Sequence, residues 1–257
     1  MFDNYRWIIA YMPKFDSLEN NYIRSKSELE PPVELRDDFD GQSLGKIWEL
    51  DRLPPNGYQQ VDAPDRPGEK AVELTVHPGD FLRQGPAAGQ IRERCEIGEK
   101  AEYFIKPGAN IWYGLSFYIP KNFLVVDNRL VIAQWRNNKT TKRHENPPLA
   151  LRYINGELRF TIKNEDEWIT LFNEPNAEKG AWHDLLVNYQ WNKDHSGYCG
   201  VALDGADKGK YEGHIGYDHL PAEMHFRMGL YRDHLEEPQS LLFSRFRRGA
   251  SREFCEK

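Results

Sequence analysis

Residues 149–163, Leu-Ala-Leu-Arg-Tyr-Ile-Asn-Gly-Glu-Leu-Arg-Phe-Thr-Ile-Lys, decide the fold class. Two short runs rich in apolar residues lie on either side of Asn155-Gly156. An Asn-Gly pair favours a type I′ turn, which joins two antiparallel strands in a tight hairpin. Leu203-Asp204-Gly205 gives a second signal of the same kind. The sequence therefore predicts antiparallel hairpins in both regions.

Strand signals continue along the chain on both sides of this hairpin. From Arg36 onward, runs rich in Val, Ile, Tyr, Phe and Trp alternate with clusters of Gly, Pro, Asn and Asp. This spacing is typical of an all-β sandwich. Helical spacing is confined to residues 44–48 and the N-terminal region. The predicted strands are 71–77, 89–97, 101–105, 111–119, 129–136, 149–154, 157–163, 168–172, 182–191, 200–203, 224–231 and 239–247.

The N-terminal region differs from the rest of the chain. It is polar, shows no clear period, and ends near Pro31-Pro32. We predict that residues 1–33 form an extension that packs on the domain. No linker divides the strand series that follows, so residues 34–257 are predicted to form one β-sandwich domain rather than two.

Composition excludes several classes of protein. The 257 residues include 34 Lys and Arg against 40 Asp and Glu, a net charge of −6, which argues against non-specific nucleic-acid binding. No stretch approaches the ~20 apolar residues of a membrane span, so no membrane partner is expected. The 3 cysteines lack CxxC spacing and are too few for a disulfide framework, which excludes zinc-ribbon and thioredoxin-like proteins.

One segment carries a charge opposite to that of the chain. Residues 129–163 contain eight Lys or Arg and two Glu, which gives +6. A basic groove on an acidic protein favours a polyanionic ligand held at one place. The alternative is a solvated basic loop.

Alternation in three predicted strands places polar side chains together. Successive side chains of a strand point to opposite faces. Arg92, Arg94 and Glu96 therefore share one face, and Gln134 and Arg136 share another. On a third strand the shared set is Arg227, Gly229 and Tyr231. This pattern predicts a curved sheet with one functional face, and the alternative is an ordinary solvent-facing sheet.

These blocks carry a resemblance to a known family. The chain resembles the jelly-roll polysaccharide lyases, particularly the group of heparin lyase I and glucuronan lyase, with kinship to jelly-roll alginate lyases. Residues 94–97 (Arg-Cys-Glu-Ile) are similar to the family's Arg-Ser-Glu-Leu strand, and residues 131–136 to its Gln-x-His strand. Residues 225–231 are similar to its late Tyr-Phe-Lys-x-Gly-x-Tyr strand. Weaker matches at 112–113, 147–152, 180–184 and 246–249 follow in the family's order.

The resemblance implies a concanavalin A-like β-jelly-roll with a concave groove and a substrate that contains uronate, such as glucuronan, alginate or a heparin-like glycan. Cleavage by β-elimination removes the proton at C5 and expels the sugar oxygen at C4. We expect a monomer that requires no cofactor. The resemblance admits a structural calcium ion, although no EF-hand-like loop or compact Asp cluster supports one. It also leads us to expect a secreted or periplasmic protein, whereas the longest early apolar run, residues 7–12, is too short for a signal-peptide core.

The matched positions supply candidates for each chemical role. Gln134 and Arg94 match the family's carboxylate-contacting residues, and an amide and a guanidinium are suitable donors for a carboxylate. Tyr231 matches the catalytic tyrosine, which donates a proton to the leaving oxygen or acts as a base beside cationic neighbours. Arg227, two residues from Gly229 on the same face, could assist it.

The family's histidine is replaced in this chain by Arg136. Arginine is practically never deprotonated and is a poor base. The candidates for the base are therefore Lys139, Lys142 and His144 from the following segment, with Lys142 favoured because it lies in the densest basic cluster. Tyr231 could instead act as both base and acid in a syn elimination. The predicted substrate-binding residues are Arg92, Arg136, Lys139, Arg143, His144, Arg152, Tyr189 and Arg227.

Two other function classes fit the same architecture. A retaining glycoside hydrolase needs two carboxylates about 5–5.5 Å apart, but Glu93 and Glu96 fall on opposite strand faces. A non-catalytic carbohydrate-binding module of the laminin-G or lectin type is the stronger alternative, since loss of the histidine could mean loss of the chemistry. His183 is expected to satisfy a hydrogen bond in the core.

Overall fold

Two antiparallel sheets account for nearly all regular structure in the computed structural model. It describes residues 32–41, 44–80, 83–84, 91–138, 146–165, 167–192, 194, 196–217 and 223–256. The strands are β1 Leu35–Asp37, β2 Trp48–Arg52, β3 Tyr58–Asp62, β4 Lys70–Val76, β5 Arg83–Gln84, β6 Ile91–Glu99, β7 Asn110–Ile119, β8 Leu130–Asn137, β9 Leu149–Ile154, β10 Glu157–Lys163, β11 Trp168–Glu174, β12 Ala181–Gln190, β13 Tyr198–Leu203, β14 Ala206–Glu212, β15 Met224–Asp233 and β16 Gln239–Gly249.

Strands distant in sequence lie side by side in each sheet. Sheet 1 has the order β14-β13-β12-β7-β16-β4-β3, with β1 added to β16. Sheet 2 has the order β11-β10-β9-β8-β15-β6-β2, with β5 added to β6. The observed two-sheet sandwich confirms the predicted all-β jelly-roll architecture. The three motif-bearing strands β8, β15 and β6 are neighbours at the middle of sheet 2.

Apolar side chains from both sheets fill the space between them. The fully buried rings of Trp135 and Phe226 from sheet 2 lie 5.0 Å apart, centroid to centroid. Tyr113 of sheet 1 approaches the Trp135 ring edge-on at 5.6 Å. Such large aromatic residues bury much apolar area and dominate core stability. Because the apolar side chains of sheet 2 point into the core, its opposite, outer face carries the polar groups.

Buried charges in the core occur in pairs. Glu93 points inward from β6 and is ion-paired at 2.9 Å with Arg232 of β15. Glu99 is paired at 2.9 Å with Arg248 of β16. Burial raises the pKa of the Glu99 carboxyl, although the positive charge of Arg248 acts in the opposite direction. These pairs satisfy groups that would otherwise be costly to bury.

The predicted hairpins are confirmed. Asn155 and Gly156 have φ of 54° and 84°, and Asp204 and Gly205 have φ of 54° and 76°, as a type I′ turn requires. A short helix also forms within the predicted residues, at Leu44–Ile47.

Other local predictions are wrong or incomplete. The strand predicted at 101–105 is instead a 3-10 turn over Ala101–Tyr103. Five strands were not predicted, since they are short or mostly polar: β1, β2, β3, β5 and β14. All three cysteines are free and buried. In the part of the chain that is described, no helix is long and apolar enough to cross a membrane.

The predicted extension at residues 1–33 lies almost wholly outside the described residues, and its packing on the domain stays a prediction. The chain separates into two units, and all described residues belong to the second, Pro31–Lys257.

Candidate active site

The outer face of sheet 2 carries a row of side chains across five strands, and four of the five are polar. In the pairing register, Arg94 of β6 lies opposite Tyr231 of β15, and Tyr231 lies opposite Val131 of β8. Arg152 of β9 lies opposite Val131, and Arg159 of β10 lies opposite Arg152. The predicted faces of β6, β8 and β15 are therefore brought together, because alternation fixes the face and the strand order makes the three strands adjacent.

A bulge at Gly229 sets the position of Tyr231. The register between β15 and β8 shifts between Met228 and Tyr231. Gly229 has φ of +135°, and a Cβ at this position would lie 2.2 Å from the carbonyl oxygen of Cys95. Only glycine combines this φ with so close an approach to the neighbouring strand. Bulges of this kind redirect a side chain at a functional site.

Three arginines surround the Tyr231 phenol, which is 7% exposed. Arg92 Nη1 donates a hydrogen bond to Tyr231 Oη at 2.9 Å. The guanidinium carbon of Arg94 lies 4.0 Å from the ring centroid, and that of Arg129 lies 4.8 Å from it. Asp233 is ion-paired with Arg129 and fixes its position. Negative charge that develops at the phenol oxygen would be stabilised by these cations.

Glu96 connects the carboxylate-binding candidates to each other. Its carboxylate is 2% exposed and accepts a hydrogen bond from Gln134 Nε2. It also accepts one from Arg94 Nη1 at 3.3 Å. The Gln134 Oε1 atom is buried without a partner in the described residues. The Gln134 side chain is fully buried, and Glu96 holds its amide in place beneath the outer face. The amide nitrogen has a second hydrogen, which becomes available to a ligand only when the site opens around it.

Arg136 continues the polar face beyond Gln134. Burial lowers the pKa of its guanidinium, the positive charge of Arg94 acts in the same direction, and Glu96 and Tyr231 oppose them. No described carboxylate lies within ion-pair distance of Arg136. Arginine remains protonated even in such surroundings. Arg136 therefore adds positive charge to the site and supplies no base.

His225 lies opposite Arg136 in the register and is nearly buried. Its Nε2 accepts a hydrogen bond from Arg227 Nε at 3.3 Å. Burial lowers the pKa of His225 to about 3, and the charges of Arg227 and Arg136 contribute. Arg227 is also ion-paired with Asp51 at 3.0 Å. The imidazole is thus neutral near pH 7, and the ion pair with Asp51 holds Arg227 at this end of the outer face.

A second group of side chains lies on β9, β10 and β11. Arg152, 8% exposed, donates from Nε to Thr161 Oγ1 at 3.2 Å. Its guanidinium carbon is 5.1 Å from the centroid of the Trp168 ring, and Lys163 Nζ is 5.9 Å from it. Trp168 is 49% exposed. Cations and an accessible aromatic ring thus lie side by side at the β11 edge of sheet 2.

The predicted residues fall into three groups. Arg92, Arg94, Gln134, Arg136, Arg152, Arg227 and Tyr231 lie on the outer face of sheet 2. The prediction for Tyr189 is wrong, because its ring is fully buried between the sheets and stacks on Tyr113 at 6.0 Å. The others lie outside the described residues, and their roles stay predictions: Lys139, Lys142, Arg143 and His144.

Sequence reasoning missed three contributors to this face: Arg129, Trp168 and the connecting role of Glu96. Arg129 begins the predicted strand 129–136, where strict alternation places it on the face opposite Gln134 and Arg136. The register irregularity between Val131 and Ala133 breaks that alternation. Trp168 begins a predicted strand, and its pairing opposite Lys163 depends on the next hairpin. In the described part of the chain, no group of three or more His, Cys, Asp or Glu side chains is arranged to hold a metal ion.

Comparison with known proteins defines the class. The sequence model of the family described as "Polysaccharide lyase" matches residues 37–247. The chain belongs to this family, and it is a polysaccharide lyase by fold and family.

Solved structures agree in fold. The endo-β-1,4-glucuronan lyase of the fungus Trichoderma reesei matches with a TM-score of 0.64 at 16% identity, over 88% of this chain and 98% of that chain. Alginate lyase AlgAT5 from polysaccharide lyase family 7 gives a TM-score of 0.52 at 15% identity, over 79% and 93%. Alginate lyase AlyC3 gives 0.50 at 12% identity, over 74% and 78%. A search of curated proteins finds no match.

Proposed function

We propose that this protein cleaves a uronate-containing polysaccharide by β-elimination at Tyr231. One observation carries the proposal: Glu96 bonds to both Gln134 and Arg94, and Arg94 stacks on the Tyr231 ring. Two donors suited to a carboxylate and a phenol suited to proton transfer are therefore close enough to act on one sugar. The fold shared with a glucuronan lyase supports this assignment.

The first requirement of the reaction is neutralisation of the uronate carboxylate. The proton at C5 is hardly acidic while this neighbouring group keeps its full negative charge. Arg94 is positioned by Glu96 before substrate binds, so it needs little rearrangement to stabilise the enediolate that forms, and Gln134 holds the same Glu96 carboxylate from beneath the face. Such preorganised donors typically provide the largest single contribution to catalysis.

The second requirement is proton transfer at C5 and O4. The C5–H bond breaks and its electron pair passes into the carboxylate to give the enediolate. The pair then forms the C4–C5 double bond as the C4–O4 bond breaks, and O4 takes a proton as it leaves. We assign both transfers to Tyr231, whose deprotonated oxygen removes the C5 proton and passes it to O4. Arg92, Arg94 and Arg129 would offset the negative charge on this oxygen.

The substrate is proposed to be an anionic polysaccharide such as glucuronan, alginate or a heparin-like glycan. The cations around Tyr231 and Arg152 favour a polymer with repeated carboxylates. The monomeric state, the absence of nucleic-acid and membrane partners, and independence from cofactors stay predictions.

An absorbance assay tests the reaction type. The purified chain is incubated with glucuronan, alginate, heparin and hyaluronan, and unsaturated uronate ends are followed by their ultraviolet absorbance. We expect a rise with at least one polymer. Binding to a uronate polymer without any rise on the four would instead identify a non-catalytic carbohydrate-binding module.

Two variants test the role of Tyr231. Tyr231→Phe should lower kcat by about a thousandfold or more, because general acid and base catalysis each contribute about 10²–10⁴-fold, while substrate affinity changes little. Lys142→Gln should keep most of the activity. If Lys142→Gln abolishes turnover and Tyr231→Phe retains it, Lys142 is the base and the double role of Tyr231 is wrong.

A further inference from the structure

Arg152 is a nearly buried cation with no carboxylate partner in the described residues. Its described partners are the Thr161 hydroxyl and the face of the Trp168 ring. Burial lowers the pKa of Arg152 to about 10, and the charge of Arg129 acts in the same direction. A buried guanidinium in such surroundings is stabilised when an anion approaches it.

Trp168 provides a surface for a sugar ring beside this cation. Half of its surface is exposed, whereas most large aromatic residues of the sandwich are buried in the core. Lys163 lies on the neighbouring strand and is 5.9 Å from both the Trp168 and Tyr217 rings. An exposed indole next to cations offers apolar contact for the ring and positive charge for its carboxylate.

The position of this pair relative to Tyr231 follows from the strand order. Trp168 on β11 lies four strand spacings from Tyr231 on β15, and Arg152 lies two spacings away. At about 4.8 Å per spacing, these separations are about 19 Å and about 10 Å across the sheet. The Arg152 side chain covers part of its distance, since its charge interacts with those of Arg129 and Tyr231. The Trp168 indole at the edge strand lies beyond the sugar that reacts at Tyr231, and a chain of linked sugars can span that distance.

We propose that Trp168, with Arg152 beside it, forms a distal subsite that binds a uronate residue beyond the sugar that reacts at Tyr231. This inference rests on the proposed function and adds that the length of the oligosaccharide affects its cleavage. The subsite takes a uronosyl ring against the indole and its carboxylate at the guanidinium. Oligosaccharides that reach the subsite are cleaved more efficiently than those that end before it.

Turnover of oligouronates of two lengths tests the subsite. Trp168→Ala should lower kcat/KM for an octasaccharide about tenfold, which corresponds to ~1.4 kcal/mol, and for a trisaccharide by less than about twofold. The ratio kcat/KM is used because it compares the free enzyme and substrate with the transition state. Trp168→Phe retains a ring and should restore most of the loss.

Trp182 provides a matched control in the other sheet. It also lies beside an arginine, since the guanidinium carbon of Arg66 is 4.4 Å from its ring centroid. Trp182→Ala should leave the ratio of octasaccharide to trisaccharide kcat/KM unchanged, when measured below the unfolding temperature of every variant. An equal loss on both lengths with Trp168→Ala, or no loss on either, would overturn the proposal.

A binding measurement separates this inference from the proposed reaction. In the Tyr231→Phe background, calorimetry with the octasaccharide should show about tenfold weaker binding when Trp168 is also replaced by Ala. Arg152→Gln should weaken binding of the natural oligomer but not of its carboxyl-reduced form. If the wild type yields no unsaturated product while binding still depends on Trp168, only the lyase assignment fails. If product forms and neither measurement depends on Trp168, only the subsite fails.

Discussion

Trp182 in sheet 1 and Trp168 in sheet 2 each lie beside an arginine, but the two arginines differ in their partners. Arg66 beside Trp182 is ion-paired with Asp184 at 3.1 Å, and the Trp182 indole donates to the Pro64 carbonyl. Arg152 beside Trp168 has only Thr161 as a described hydrogen-bond partner. The first pair is complete within the chain, whereas the second leaves positive charge for a ligand.

Other arginines distant from Tyr231 are also paired with carboxylates. Arg245 is ion-paired with Glu69, and Arg252 with Glu256 at 2.6 Å. Around Tyr231, by contrast, cations outnumber the described carboxylates. Among the described residues of this face, Arg136 and Arg152 have no carboxylate partner, and such local positive charge on a net negative protein is what a polyanion site requires. Surface ion pairs contribute little to stability. The difference between paired and unpaired arginines therefore matters for ligand binding more than for folding.

The largest expected effect comes from breaking a pair that is complete and buried. Arg232→Met removes the 2.9 Å ion-pair partner of the fully buried Glu93 carboxylate, which then keeps its bonds to His234 and the Gly79 N–H. Loss of one member of a buried pair costs about 3–5 kcal/mol, and because Glu93 keeps these other bonds, the free energy of unfolding in urea should fall by about 3 kcal/mol. Arg152→Met should change it by less than about 1 kcal/mol, because no described carboxylate loses a partner. A similar loss in both variants would contradict the distinction between the two kinds of arginine.

A large effect on turnover is expected from Arg94, which has both a carboxylate partner and an aromatic ring. Arg94→Lys keeps the charge but loses the planar group that stacks on Tyr231 and bonds to Glu96. Loss of one preorganised donor costs about 10²–10³ in kcat, and steady-state kinetics on the cleaved polymer measures it. Arg66→Lys is the matched control and should keep wild-type kcat. Unchanged turnover in Arg94→Lys would remove Arg94 from the site.

Two histidines show the same contrast between paired and unpaired surroundings in the directions of their pKa shifts. Burial lowers the pKa of His225 to about 3, with the charges of Arg227 and Arg136 in support and Asp51 opposing. For His183, burial acts to lower the pKa, but the hydrogen bond with Asp204 and its charge raise it overall. A histidine among cations stays neutral, and one beside a carboxylate holds its proton.

The two shifts predict opposite pH dependences of stability. Below about pH 6.5 the unfolded chain protonates His225 while the folded chain does not, so stability is lost as the pH falls. At pH 5 this loss is about 2 kcal/mol. The His183 contribution is fully present below about pH 6.5 and is lost as the pH rises through the raised pKa. Urea unfolding across pH should therefore show that His225→Asn flattens the acid side of the curve and His183→Asn the alkaline side. The opposite assignment would contradict these surroundings.

Local sequence was enough to predict hairpins and strand faces. Asn155-Gly156 specifies its turn, and alternation places Arg94 and Glu96 on one face of β6 whatever the partner strand. Alternation does not tell which face is the inner one when both carry apolar residues, and Tyr189 of β12 was therefore misplaced. The site itself depends on the order β8-β15-β6, which pairs strands far apart in sequence. The site is assembled by the pairing of these distant strands, which a local sequence pattern does not predict.

The smallest expected effect comes from giving Arg152 the partner that Arg66 already has. Thr161→Asp replaces the hydroxyl that lies 3.2 Å from Arg152 Nε with a carboxylate. An internal ion pair would then compete with the substrate carboxylate, so KM for a long oligouronate should rise about tenfold, or ~1.4 kcal/mol, with kcat nearly unchanged. Thr161→Asn has a similar shape without the charge and should behave like the wild type. If both variants raise KM equally, the effect comes from shape, and the unpaired charge of Arg152 does not attract the substrate.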